Sequence, residues 1–186
     1  MSYYTKEQLE KIEFKSLGEN VKISDKASIY NCDVIKIGDN SRIDDFCVIS
    51  GRVEIGRNVH ITPQCLLAGG EKGIVLEDFS TLAYGVKVFT QSDDYSGETM
   101  ANSTVPKNFK NEQKRSVRVG RHSIIGAGSI IFPGVVIGEG ASIGANSLVL
   151  KSTENWSIYV GSPARRIKSR KKSLLELEQD YLDTEK

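Results

Sequence analysis

Only two histidines and three cysteines occur among the 186 residues, and neither a CxxC pair nor a nearby histidine array connects them. That excludes a zinc framework, so no metal is expected, and Cys32, Cys47 and Cys65 fit reduced thiols better than a disulfide frame. Nowhere do 18 apolar residues follow one another, so no segment reads as a membrane span. The start, Met1 to Lys15, is polar and charged rather than basic and then apolar. The expectation is therefore a cytoplasmic chain without a secretory leader. An excess of one charge is also missing, because 25 Lys and Arg face 24 Asp and Glu, and the net +1 argues against a nucleic-acid partner. Aromatics are sparse, with 6 Phe and 1 Trp, whereas glycine reaches 17. At 39% hydrophobic and 26% charged the composition is that of an ordinary folded chain, so the glycine excess needs its own cause.

An internal period supplies that cause. An aliphatic residue recurs every six positions: Leu17, Ile23, Ile29; Ile37, Ile43, Ile49, Ile55, Ile61, Leu67; Leu76, Leu82, Val88; Val119, Ile125, Ile131, Ile137, Ile143, Val149. Gly follows this anchor at Gly18, Gly38, Gly56, Gly120, Gly126, Gly138 and Gly144, where a tight corner or a close neighbouring backbone tolerates no side chain. Four places after the anchor stand small residues such as Ser41, Cys47, Val59, Cys65, Ser123 and Ser147, suited to the inside of a narrow prism. Neither a 3.6 period nor simple alternation explains this pattern, whereas short strands turning at each sixth residue stack into a parallel solenoid. Three sides close one triangular coil, so the anchors make about six coils, on the order of 29 Å tall at the spacing of paired strands.

These repeats resemble the hexapeptide-repeat acyltransferases. The resemblance covers residues 17 to 161 and implies an all-β solenoid, a left-handed parallel β-helix that assembles as a homotrimer. The period itself does not give the hand. Three segments are expected: a helical cap over 1–16, the β-helix over 17–161 with an inserted loop at 90–116, and a helical segment over 162–186. Thr5-Lys6-Glu7-Gln8 reads as a capping box before Leu9 and Ile12, and Ser162-Pro163 as the start of the second helix, with Pro in its favoured first turn. Leu174, Leu177 and Tyr181 give that helix an apolar stripe.

Solenoids carry function on their insertions. The longest here runs from Thr90 to about Ser116, begins Thr90-Gln91-Ser92-Asp93-Asp94-Tyr95-Ser96-Gly97-Glu98 and ends basic at Lys107, Lys110, Lys114 and Arg115. In the galactoside and maltose O-acetyltransferase branch a histidine base occupies about the place where this chain has Asp93. The Asp-Asp-Tyr-Ser-Gly run, the Tyr-Thr-Lys-Glu-Gln-Leu start and Gly161-Ser162-Pro163-Ala164-Arg165 are more similar to acyltransferases that modify nucleotide-linked amino sugars for surface polysaccharides. An amine needs less help than an alcohol: near the α-amino reference pKa about a tenth is neutral at pH 7, a cost of about 1 kcal/mol. A carboxylate at Asp93 then serves to position the amine and stabilise its growing positive charge, with the departing thiolate or water taking the proton. Asp94 and His60 are secondary catalytic candidates, and Tyr95, Glu98, Glu71 and Tyr84 are candidate acceptor contacts. Read only as residues, Asp93 and Asp94 are equally a solvated turn-forming pair.

The resemblance also implies a coenzyme A thioester, acetyl-CoA foremost, as co-substrate, lying between subunits along the upper coils. The matching segments contain Gly126, Ala127, Gly144 and Ala145, although repeat packing alone also asks for these glycines. Lys151, Arg165, Lys168 and Arg170 offer charge for the donor's phosphates, and the competing reading is a solvated face. Two other functions stay open: a sugar O-acetyltransferase using His60, and a non-catalytic solenoid scaffold.

Overall fold

The structure, a computed structural model, describes residues 2–185. Its short strands fall into three parallel ladders, which form the faces of a prism. The first face stacks Ser16–Leu17, Lys36–Ile37, Val53–Ile55, Ile74–Leu76, Val117–Val119 and Val136–Ile137. On the second face lie Lys22–Ile23, Arg42–Ile43, His60–Ile61, Thr81–Leu82, Ile124–Ile125 and Ser142–Ile143. The third face carries Ser28–Ile29, Val48–Ser50, Leu66–Ala68, Lys87–Phe89, Ile130–Ile131 and Leu148–Val149. Among the described residues this makes six complete coils, and Ser157–Val160 adds one further side to the second face. The expected solenoid is the observed architecture.

Register explains the period. Anchors pair with anchors, as in Val88↔Ile131↔Val149, so every sixth residue enters the same interior column. All anchors are buried except Leu17 and Ile29 in the lowest coil, which pack partly exposed against the core. Most of the small fourth-place residues are interior too, and several of their hydroxyls donate to backbone carbonyls, whereas that of buried Ser80 has no partner among the described residues. Ser41 donates to the Gly56 carbonyl at 2.7 Å and Ser123 to that of Gly138 at 2.9 Å. The two roles offered for the repeat glycines separate here. A Cβ on Gly126 would lie 2.5 Å from the Ala145 nitrogen of the next coil, so close backbone approach is what excludes a side chain there. The left-handed corner instead falls three places after the anchor, at Asn20, Asn40, Asn58 and Asn146, with φ between +54° and +57°.

Both ends are covered. Helix α1 (Lys6–Glu10) has the predicted capping box, with the Thr5 N–H donating to the Gln8 side chain at 2.8 Å, and its Leu9 joins the core at the bottom. At the top the structure departs from the sequence reading. Ser162-Pro163 lies in a turn rather than a helix, and the chain reverses into an antiparallel strand, Arg165–Ser169, along Ser157–Val160. That strand covers the open edge of the second face, whose unpaired backbone groups favour a partner over a helix. Helix α2 begins only at Leu174 and runs to Thr184. It straps the edge between the first and second faces: Glu178 bonds Arg121 and His122, Glu185 bonds Arg57, and Asn58 donates to the Tyr181 hydroxyl at 2.9 Å.

Candidate active site

The inserted loop leaves the fourth coil at the edge between the third and first faces. Gln91–Ser92 pairs antiparallel with Gln113–Lys114, and the Arg115 N–H donates to the Thr90 carbonyl at 2.9 Å, so the loop is pinned at its base. Part of its basic end is internally neutralised, because Lys110 and Lys114 reach Glu112 at 2.8 and 3.4 Å. Beside the base lies a cleft of about 440 Å³, lined by Ser50, Ala68, Phe89, Asp93, Tyr95 and Phe132 among others.

The two adjacent aspartates have different situations. Asp94 accepts from the Ser96 N–H at 2.8 Å and the Thr99 hydroxyl at 2.7 Å, and these bonds hold its pKa down to about 2. It builds the loop. Asp93 is half-buried in the cleft, and among the described residues its carboxylate makes no hydrogen bond or ion pair. Tyr95 stands over the same cleft 89% exposed, whereas Glu98 and Glu71 project into solvent, Glu71 from the turn whose Gly70 lines the cleft.

The other candidates lie elsewhere on the prism. Gly126, Ala127, Gly144 and Ala145 occupy the edge between the second and third faces in the fifth and sixth coils. Tyr84 is exposed on that same edge one coil below. Arg165 pairs with Val160 at the end of the covering strand next to this edge, while Lys168 lies opposite Ile158, farther along. Arg170 is committed to structure: its guanidinium donates to the carbonyls of His122 and Gly140 at 2.8 and 3.0 Å, at the edge strapped by α2. Lys151 is exposed above the loop edge. His122 is buried, stacked on Phe79 with ring centroids 5.2 Å apart and bonded to Glu178, so it fastens α2. Burial and the neighbouring Arg121 push its pKa below the ordinary imidazole value.

His60 faces outward from the second face and bonds Asp44 at 2.9 Å. Asp44 is 1% exposed and also accepts from Arg42 Nε at 2.6 Å and the Tyr3 hydroxyl at 3.2 Å. Despite the desolvation that pushes it up, those bonds hold the Asp44 pKa below the ordinary carboxylate value. Sequence reasoning missed this carboxylate. Its signal is an acid directly after an anchor, where most other coils have Gly, Ala, Ser or Thr.

Comparison with known proteins gives the family. The hexapeptide pattern of bacterial transferases, six repeats, matches residues 35–69. Over 184 residues, 97% of this chain and 95% of the relative, the sequence is 45% identical to dTDP-4-amino-4,6-dideoxy-D-glucose acyltransferase of Escherichia coli. The chain belongs to the hexapeptide-repeat acyltransferases. Within the family it is also similar to AntD, an N-acyltransferase of Bacillus cereus, in a crystal structure with dTDP and 3-hydroxybutyryl-CoA: 50% identity, TM-score 0.97, covering 98% of this chain and 97% of that one. A serine variant of AntD, with the same identity and TM-score and 98% of each chain covered, was solved with dTDP-4-amino-4,6-dideoxyglucose and coenzyme A.

Proposed function

We propose that this chain transfers the acyl group of a coenzyme A thioester to the 4-amino group of a dTDP-linked 4-amino-4,6-dideoxyhexose, a building block for a surface glycan, in the cytoplasm. The observation that carries the reading is the division of labour in the loop: Asp94 is committed to the turn, whereas Asp93 holds an uncommitted carboxylate in the cleft. The neutral amine attacks the thioester carbonyl, forming the C–N bond, and the tetrahedral intermediate collapses by breaking C–S. The proton lost from nitrogen goes to the leaving thiolate, directly or through water, giving amide and free CoA. Asp93 orients the amine and stabilises the positive charge that grows on it during attack. Tyr95 contacts the acceptor, and Glu98 and Glu71 remain outer candidates.

The separation of the candidate loop and donor residues supports a homotrimer. Within one chain Asp93 and the Gly126 to Ala145 segments lie on the two opposite edges of the third face, so one chain does not bring them together. That face also carries an outward column of Val48, Leu66, Ile130 and Leu148, interrupted only by Lys87. Packing three such faces around an axis sets the loop edge of each chain against the donor edge of its neighbour. CoA then lies along Ala127 and Ala145, with Arg165 and Lys168 near its phosphates. Lys151, on the loop edge, would reach them from the neighbouring chain.

Thiol release from acetyl-CoA tests the reaction. Rapid release is expected with dTDP-4-amino-4,6-dideoxyglucose and none with the dTDP sugar that bears a hydroxyl at that carbon. Equal release with the hydroxyl sugar would overturn N-acylation in favour of an O-acetyltransferase, and release with neither would leave a scaffold.

A further inference from the structure

Backbone joins the two halves of the inserted loop at two places. At the base Gln91 pairs with Lys114 and Ser92 with Gln113, and farther out Met100 bridges to Lys110, its N–H donating to the Phe109 carbonyl at 2.9 Å. Residues 110–114 therefore form a short return strut, and residues 93–99 span the outgoing half between the same two joints. Continuing the base register by one residue sets Glu112 across from Asp93, with Lys110 and Lys114 as the two diagonal neighbours of Asp93. Residues opposite each other in an antiparallel pair share a face, and diagonal neighbours about 7 to 8 Å apart lie within reach of a long side chain.

Two ammonium groups thus flank the carboxylate on which the proposed transfer depends, yet among the described residues neither is paired with it. Glu112 holds both of them, Lys110 Nζ at 2.8 Å from one carboxylate oxygen and Lys114 Nζ at 3.4 Å from the other. This clamp is sheltered from solvent, since the side chains of Lys110 and Glu112 are only 6% and 13% exposed. A desolvated cation without a partner is costly, so a lysine released from Glu112 would close on the nearest available anion. Asp94 is not that anion, because Ser96 and Thr99 already occupy its carboxylate. Asp93 is.

We infer that Glu112 is a positioning residue for the reaction: by holding Lys110 and Lys114 it keeps the Asp93 carboxylate unpaired and open to the amine. Without Glu112, a lysine paired with Asp93 would neutralise the negative charge that stabilises the attacking nitrogen, and it would also occupy the place that the amine takes. The loop's two sheltered carboxylates therefore divide the cations between them. Glu112 absorbs those of the loop itself, and Asp93 meets the one that develops on the substrate.

This inference rests on the reading of Asp93 above, and steady-state kinetics with acetyl-CoA and dTDP-4-amino-4,6-dideoxyglucose test it. Glu112→Gln keeps the shape of the side chain and is expected to lower kcat about tenfold or more, with the acyl-CoA KM unchanged. Adding Lys110→Met and Lys114→Met to that variant removes the cations that would close on Asp93, and most of the lost kcat should return. A purely structural role for Glu112 would not give that recovery, since further substitutions in a loosened loop only deepen a loss. In an Asp93→Asn background, Glu112→Gln should add nothing, because it acts through a carboxylate already gone. If Asp93→Asn is inactive but Glu112→Gln keeps full kcat, the inference is wrong while the proposed reaction stands. A loss in Glu112→Gln that the lysine substitutions fail to relieve, or that adds to that of Asp93→Asn, overturns it equally. If Asp93→Asn is itself fully active, the reading of Asp93 falls and this inference with it.

Discussion

Asp93→Asn is expected to lower kcat at least a hundredfold, with the acyl-CoA KM and the thermal unfolding midpoint both unchanged. The substitution keeps the shape of the side chain and removes only its negative charge, which faces the cleft without a protein partner. Charge stabilisation at a developing ionic centre is typically worth about two to three decades in rate, or about 2.7 to 4 kcal/mol of barrier. Stability should not change because no hydrogen bond of the folded state is lost. Asp94→Asn is the matched control. It weakens a turn held by two hydrogen bonds, so it should loosen the loop and raise the acceptor KM more than it lowers kcat. Steady-state kinetics on both variants decide the assignment. A silent Asp93→Asn beside an inactive Asp94→Asn would exchange their roles.

The second large effect is on folding. Ile131 is fully buried on the third face, with Val88 below it and Val149 above. Ile131→Ala removes three carbons from a column in which each anchor is packed by those of neighbouring coils, and it should cost about 2 to 5 kcal/mol. Because every coil is a template for the next, that loss is transmitted along the solenoid. Urea unfolding should show the midpoint falling clearly, while kinetic constants measured well below the transition stay near those of the wild type. An unchanged midpoint would mean that the interior column is not the principal source of stability.

Much of the fold could be read from the sequence because one constraint repeats. An interior column accepts only an aliphatic anchor and a small fourth residue, and coil-to-coil approach excludes a side chain at positions such as Gly126. The aliphatic anchor alone recurs eighteen times in 186 residues, so the pattern stands clear of the background. The end of the chain occurs once. Ser162-Pro163 has the local look of a helix start, but the open strand edge beside it takes Arg165–Ser169 as a partner, a demand set by tertiary structure. The same separation holds for the site. Asp93 was visible by its place in the insertion, whereas its difference from Asp94 arises from hydrogen bonds to Ser96 and Thr99 that no spacing specifies. Arg170 looked like one more cation in a basic run until the carbonyls of His122 and Gly140 converged on it. Asp44 escaped notice because its partners come from Tyr3, Arg42 and His60, brought together only by stacking of coils.

Complementation tests most directly whether each reaction centre combines the loop of one chain with the donor edge of another. Asp93→Asn removes the loop's carboxylate and leaves the donor edge intact. Ala145→Trp, at an exposed corner position, blocks the donor edge and leaves the loop intact. Each variant alone should be nearly inactive. Dissociated, mixed in equal amounts and reassociated, they should recover about a quarter of wild-type activity, the random share of sites that pair an intact loop with an intact neighbouring edge in a cyclic trimer. A mixture as inactive as its components, with mixed oligomers present, would contradict a shared site and confine the chemistry to a single chain.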